Sequence, residues 1–287
     1  MSPAPQKLFA FGLGFTSLAL ATRLQAQGLA VAGTCRSADK AASLRARGID
    51  AHIYAPDQKF DANALNGTTH LLLSIPPDEA GDPVARDYGA ALAALSLTWA
   101  GYLSTTGVYG DRGGDWVDEA SPLEPTTARG ARRLQAEQQW AALNLPLHIF
   151  RLAGIYGPGR NQLVSLREGK ARRVIKEGQV FSRIHVDDIA QVLLASIAQP
   201  HIGAAYNLCD NDPAPPQEVV TYAAELLGMT PPPEINFEDA DLSPMAKSFY
   251  AESKRVSNKR IREELGVVLK YPTYREGLKA LLKDSQK

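Results

Sequence analysis

The sequence predicts an α/β fold: a doubly wound parallel sheet covered by helices on both faces, with a smaller C-terminal domain on the sheet's C-terminal edge. Three observations predict it. Strand-like and helix-like segments alternate through the first half of the chain. The strand segments are continuous apolar runs, as in strands buried on both faces, not alternating ones. After residue 155 the pattern loosens around prolines at Pro213, Pro215 and Pro216 and at Pro231–Pro233.

The elements follow in order. Lys7–Phe11 reads as a short apolar strand. Thr16–Gln27, rich in Ala and Leu, reads as a helix ended by Gly28. Leu29–Thr34 is a second strand. Ser37–Arg47 is a helix with Ser37 at its N-cap and Gly48 at its C-terminal end. Ile49–Tyr54 is a third strand. His70–Ile75 is a buried strand stopped by Pro76-Pro77. Pro83–Leu97 is a long Ala/Leu helix. Gly101–Thr105 is a strand leading into a Gly/Asp-rich loop. Arg129–Leu143 is a helix and Leu147–Leu152 a strand. Further helices are expected at Asp188–Ala198, Gln217–Leu227, Ser257–Leu265 and Tyr274–Leu282.

Composition bounds the function. Apolar residues make up 45% and charged residues 22% of 287 residues, which fits a globular protein with a sizeable core and excludes wholesale disorder. Lys+Arg and Asp+Glu are both 31, so the formal charge is zero. That argues against a global electrostatic grip on nucleic acid or an anionic membrane. Cys35 and Cys209 are lone thiols suited to a reducing, cytoplasmic setting, and no Cys/His spacing points to a metal. The stretch Leu8–Ala21 imitates a signal peptide, with Ala19-Leu20-Ala21 as its cleavage site. Only one positive charge, Lys7, precedes it, however, and Gly12 and Gly14 interrupt it. The same residues make better sense as strand, glycine turn and helix. No apolar run reaches the ~20 residues of a membrane span.

That turn is Gly12-Leu13-Gly14-Phe15-Thr16-Ser17. Gly12 permits a tight turn, Gly14 lets the backbone approach a pyrophosphate, and the helix N-terminus offers N–H groups and a positive dipole end. Ser17 stands where a third glycine is usual. The pattern therefore points to a Rossmann-type dinucleotide site; the alternative is a tight turn without a ligand. The end of the second strand chooses the dinucleotide. An NAD site places an acid there for the ribose 2′-OH, whereas an NADP site has space and an Arg. The segment Gly33-Thr34-Cys35-Arg36-Ser37 carries no carboxylate until Asp39. Arg36 can clamp a 2′-phosphate and Ser37 can add a hydroxyl, so NADP(H) is expected over NAD(H). Otherwise Arg36 is a solvated charge. Cys35 is core or cofactor-lining.

Four later segments extend the pattern. They are Ser104-Thr105-Thr106-Gly107-Val108-Tyr109-Gly110, Phe150–Gly159 with Ile155-Tyr156-Gly157-Pro158, Arg183-Ile184-His185-Val186-Asp187-Asp188, and Tyr206-Asn207-Leu208. In this order and spacing, after a dinucleotide loop, they resemble the extended short-chain dehydrogenases/reductases, also called the NAD-dependent epimerase/dehydratase family, along nearly the whole chain. The resemblance implies a Rossmann domain over 1–155 and about 185–208. It implies a small substrate domain over about 156–184 and 209–287, with the reaction in the cleft between them. It further implies that Thr105 hydrogen-bonds a substrate oxygen, that Ser74, Ile75 and Pro76 line the adenosine and ribose, and that Ile155 lies beside the nicotinamide. Tyr156, Arg160 and Asn161 become candidates for substrate contact. Asp187 or Asp188 is a helix N-cap or a catalytic group, His185 a packed loop histidine or a base, and Tyr156 and Tyr109 half-buried aromatics or functional phenols.

One departure carries information. The family's Tyr and Lys, four apart on the helix after the Val-Tyr-Gly loop, are replaced by Arg129 and Arg133, neighbours on one helix face. Arg133 can still hold ribose hydroxyls, although a guanidinium is not interchangeable with an ammonium. Arg129 cannot act as an acid or base, because its pKa exceeds ~12. The chain thus resembles an atypical subgroup without the Tyr/Lys pair. Three readings stay open: an NADP-dependent oxidoreductase using another acid/base such as Tyr109 or His185, with Arg129 on an anionic small-molecule substrate; a non-catalytic NADP(H) or metabolite sensor; and a redox-neutral epimerase of nucleotide-sugar type. Family members often dimerise through helices matching Pro83–Leu97 and Arg129–Leu143, so a homodimer is an expectation.

Overall fold

The structure, a computed structural model, describes residues 6–286. In chain order it runs β1 (Lys7–Phe11), α1 (Phe15–Ala26), β2 (Ala30–Cys35), α2 (Ala38–Arg45), β3 (Asp50–Ile53), β4 (His70–Leu73), α3 (Pro83–Ala93), β5 (Trp99–Thr105), β6 (Trp116–Val117), α4 (Ala128–Ala141), β7 (Leu147–Leu152) and β8 (Gly154–Tyr156). It continues with α5 (Gln162–Arg167), β9 (Arg173–Ile175), β10 (Arg183–His185), α6 (Val186–Ala198), β11 (Ala205–Leu208), α7 (Pro216–Leu227), β12 (Glu234–Asn236), α8 (Pro244–Tyr250), β13 (Arg255–Val256), α9 (Lys259–Glu263) and α10 (Tyr274–Asp284). Among the described residues no helix is long and apolar enough to cross a membrane.

Seven strands form one sheet in the order β11-β7-β5-β4-β1-β2-β3, with β3, β2, β1, β4 and β5 paired in parallel. This is a Rossmann-like, doubly wound sheet. The winding reverses between β1 and β4, which makes their carboxyl ends the switch point at which such sheets bind ligands. The apolar strand segments are buried as their composition requires: β4 is buried throughout, and β1 everywhere but at Lys7. Phe9, Phe11, Leu71, Leu73, Tyr88 and Trp140 lead the core beneath.

The chain divides into two compact units. One comprises the described residues up to Ser104 together with Arg132–Arg151 and Ala190–Tyr206; the other comprises Thr105–Ala131, Leu152–Ile189 and the described residues from Asn207 onward. The second unit has its own core of Tyr156, Leu163, Val219, Ala223, Tyr274 and Leu278. It also holds three short parallel pairs, β8 with β10, β9 with β12, and β6 with β13.

Several expected elements are shorter than their composition suggests, among them the strand from His70, which ends at Leu73, and the helix from Ser37, which runs Ala38–Arg45; two more helices show why. The helix expected to reach Leu97 ends at Ala93, because Thr98 already donates to Thr69 and Trp99 opens β5 with its indole bonded to Ser196. The helix expected from Ser257 starts at Lys259, because Ser257 donates to the Val117 carbonyl and prolongs the β13–β6 pairing.

Candidate functional site

In the first unit the dinucleotide candidates gather at the switch point. Gly12 has φ +89°, and its N–H donates to the Thr34 hydroxyl at 2.9 Å. Leu13 donates to the Thr34 carbonyl at 2.7 Å, which ties the turn to the end of β2. Gly14 is the N-cap of α1 and brings no side chain to it, and the first turn of that helix holds no acid. A Cβ built on Gly14 meets nothing within 4 Å. The helix thus presents its donor end beside open space, with Phe15 half-buried and Thr16 buried behind it. Ser17 is fully buried and its hydroxyl has no partner among the described residues.

From β4 the Ser74 N–H donates to the Phe11 carbonyl at 3.0 Å, and Ile75 lies 3.1 Å from where a Cβ on Gly12 would stand. Pro76 is exposed. At the end of β2, Cys35 is buried. Arg36 is exposed, and its guanidinium makes no hydrogen bond or ion pair with a described residue. Ser37 caps α2, its hydroxyl accepting from the Lys40 N–H at 3.4 Å. This donor set fits a dinucleotide: a glycine cradle, an uncapped helix N-terminus and a free guanidinium at the second strand's end. Arg133 points to β5, donating to the Leu103 carbonyl at 2.8 Å and the Tyr102 hydroxyl at 3.4 Å. Its buried Nε has no partner among the described residues.

The remaining candidates belong to the second unit. Thr105 caps the short turn Thr106–Tyr109, its hydroxyl accepting from Gly107. Tyr109 is fully buried and donates to Asn207 Oδ1 at 2.7 Å. The Asn207 N–H in turn donates to Glu119, whose carboxyl burial pushes above the usual range. Arg129 is exposed and stacks 4.1 Å from the ring centre of Phe249. Tyr156 is buried beside Gly277, edge-on to His185, with no partner for its hydroxyl among the described residues; burial pushes that phenol up. His185 is 1% exposed; its Nδ1 accepts from the Asp187 N–H at 3.1 Å, and its ring packs 4.1 Å from that of Tyr271. Ile155 is half-buried in the β8–β10 pair. Arg160 is exposed in the turn from Gly157. The Asn161 amide is committed to backbone, accepting from Val164 and donating to Gly157.

Asp187 and Asp188 do not cap α6, which starts before them at Val186. The buried Asp188 carboxylate instead accepts the backbone N–H groups of Lys270 and Tyr271, at 2.7 and 3.1 Å, and Asp187 meets Lys270 Nζ at 3.3 Å. The sequence reading also passed over a polar group around Lys254. The Glu252 carboxylate accepts the hydroxyls of Thr126 and Thr127 on one oxygen and Lys254 Nζ on the other. No local period marks these residues, since their partners lie far away in the chain.

No protein-family model matches this sequence. A curated relative does: Protein YeeZ of Escherichia coli is 30% identical over 284 residues, covering 93% of this chain and 97% of that one. The chain belongs to the YeeZ family. A solved relative, a conserved protein of unknown function from Silicibacter pomeroyi, is 55% identical over 98% of this chain and 99% of its own, with a TM-score of 0.91. A structure from Methylobacillus flagellatus, provisionally described as an NAD-dependent epimerase/dehydratase, is 27% identical over 99% of this chain and all of its own, with a TM-score of 0.71. The 3-diazoavenalumate denitrifying reductase of a Streptomyces species is 27% identical to this YeeZ-family chain over 78% of it and 73% of the reductase. MoeE5, solved with UDP-glucose and NAD, shares the fold at 19% identity and a TM-score of 0.76, covering 98% of this chain and all of its own. These solved neighbours share the α/β fold of the YeeZ-family chain, and the one from Methylobacillus flagellatus carries the epimerase/dehydratase description.

Proposed function

We propose that the chain binds NADP(H) in preference to NAD(H) and works as an oxidoreductase on a small anionic metabolite, as an atypical member that lacks the Tyr/Lys pair. Arg36 carries this reading: an exposed guanidinium without hydrogen bond or ion pair among the described residues, at the end of β2 where an NAD site would hold an acid. When bound, the dinucleotide supplies or accepts a hydride. Gly12 and Gly14 admit its pyrophosphate to the start of α1, with Phe15 and Thr16 in the first turn. Ser74, Ile75 and Pro76 line the adenosine and ribose, and Arg36 and Ser37 take the 2′-phosphate. Arg133 faces ribose hydroxyls and Ile155 the nicotinamide. Thr105 bonds a substrate oxygen, and Arg129 binds the substrate anion as a fixed charge. Tyr109 and His185 are both enclosed, which weighs against either as the group that meets the substrate. The similarity to a reductase supports reduction over epimerisation.

The test is a fluorescence titration with both cofactors. A charge-assisted hydrogen bond is worth ~1.5–3 kcal/mol, so Arg36→Ala should weaken NADPH binding roughly ten- to a hundred-fold and leave NADH nearly unchanged. Equal losses for both cofactors reject the 2′-phosphate role.

A further inference from the structure

The second unit contains a lysine that the proposed function has not used. Lys254 is 8% exposed, and it is the only lysine buried to that degree among the described residues. Its Nζ donates to Glu252 Oε2 at 2.7 Å. An ammonium carries three N–H donors, and this one meets no second acceptor among the described residues. A nearly buried cation with two unmatched donors is costly unless something accepts from it. The Glu252 carboxylate is occupied elsewhere. Its Oε1 accepts from Thr126 at 3.1 Å and from Thr127 at 3.2 Å.

The backbone around Lys254 is fixed on three sides. Ser253 donates its N–H to Asp111 Oδ1 at 2.7 Å, and its carbonyl accepts from Arg112 and Gly114. Its hydroxyl donates to the Gly178 carbonyl at 2.9 Å. Gln179 donates its side-chain amide to the Glu252 carbonyl at 2.7 Å. Such a frame fixes the backbone from which the Lys254 side chain extends, and Glu252 holds its ammonium. It also sits beside the anion candidate. Thr127 precedes Arg129 by two residues, and Phe249, against which Arg129 stacks, precedes Glu252 by three. A guanidinium is a planar fork of donors, a shape that matches a planar carboxylate.

The geometry points to Lys254 as a second substrate-binding residue, donating to a carboxylate of the substrate, with Glu252, Thr126 and Thr127 as its positioning residues. This inference rests on the anionic-substrate part of the reading above and is independent of the choice of cofactor.

The probe is succinate, with inorganic phosphate as the contrasting anion, in an NMR-monitored titration of the full-length protein. Lys254→Met should weaken succinate binding at least ten-fold and leave NADPH affinity unchanged. Glu252→Gln keeps an acceptor for the two threonines but removes the counter-charge, so it should tighten succinate binding. A structural strut would give no such opposite signs. If Lys254→Met fails to fold, the wild-type Lys254 Nζ resonance, assigned by its loss in Lys254→Arg, should shift saturably with succinate. The inference is overturned if that resonance stays put, if Lys254→Met binds succinate like the wild type, if both variants weaken it alike, or if phosphate binds more tightly than succinate. Failure of the Arg36 test with succinate binding intact would instead sink only the cofactor reading.

Discussion

Gly12 and Gly14 look equivalent in the sequence and have different duties in the structure. Gly12 is held at φ +89°, and a Cβ there would press on Ile75 at 3.1 Å. Gly14 has ordinary extended backbone and a Cβ direction with nothing within 4 Å. Two different outcomes are expected. Gly12→Ala should lower stability by about 1–3 kcal/mol, the cost of forcing a side chain into the left-handed region. Gly14→Val should cost about 1 kcal/mol or less in urea unfolding, yet abolish dinucleotide binding, because its side chain fills the space beside the helix N-terminus. A folded Gly14→Val protein that binds NADPH normally would rule out the loop assignment. Arg129 and Arg133, four apart on α4, likewise part company. Arg129 is exposed on Phe249, whereas Arg133 turns back onto the Leu103 carbonyl.

At the scale of the element, α4 shows how a helix of low hydrophobicity is anchored. Arg133, Glu137 and Trp140 share one face by their spacing. Glu137 accepts from Arg151 at 2.9 Å and from the Ser104 hydroxyl, and Trp140 donates to Asp82, whose carboxylate caps α3. The Glu137–Arg151 pair is nearly sealed, with side chains 4% and 6% exposed. Removing one partner strands a buried charge, so Glu137→Ala should cost roughly 3–5 kcal/mol in urea unfolding. Replacing both, as Glu137→Leu with Arg151→Met, should recover most of that loss, since apolar packing substitutes well for a buried pair. A double variant no more stable than Glu137→Ala would show that the pair does more than neutralise itself. The helix itself was legible from its composition; its polar anchoring face was not, because Glu137 reads like any surface acid until the strands lie beneath it.

At the scale of the whole molecule, one buried acid sets a pH dependence. Asp210 is 1% exposed; one oxygen accepts from the Asp212 N–H at 3.2 Å and the other has no partner among the described residues. Burial, opposed by the Arg183 guanidinium and reinforced by Asp212 and Asp188, pushes its carboxyl up to about 8. An unfolded aspartate titrates near about 3.9, so the folded state binds this proton more tightly. Its stabilising share is complete below about pH 4 and is lost as pH rises toward about 8. Asp210→Asn cannot ionise. Between pH 5 and about pH 8 the wild type should therefore lose stability relative to the variant, by an order of a few kcal/mol, in chemical denaturation at each pH. Parallel curves for the two proteins would show that Asp210 is already ionised in the fold.

The sequence by itself determined the alternation of buried strands and helices, the glycine turn after the first strand, the missing acid after the second, and the two arginines one helical turn apart on α4. Those features are local: side-chain period, glycine sterics and residue type act within a few positions of the chain. Only the tertiary structure decided the rest. Val117 pairs with Val256, Asp188 holds the backbone at Lys270 and Tyr271, and Thr126 and Thr127 reach Glu252 across 126 and 125 residues. A hydrogen bond forms over about 3 Å and a buried charge answers to whatever surrounds it, so these partners exist only where folding brings distant segments together.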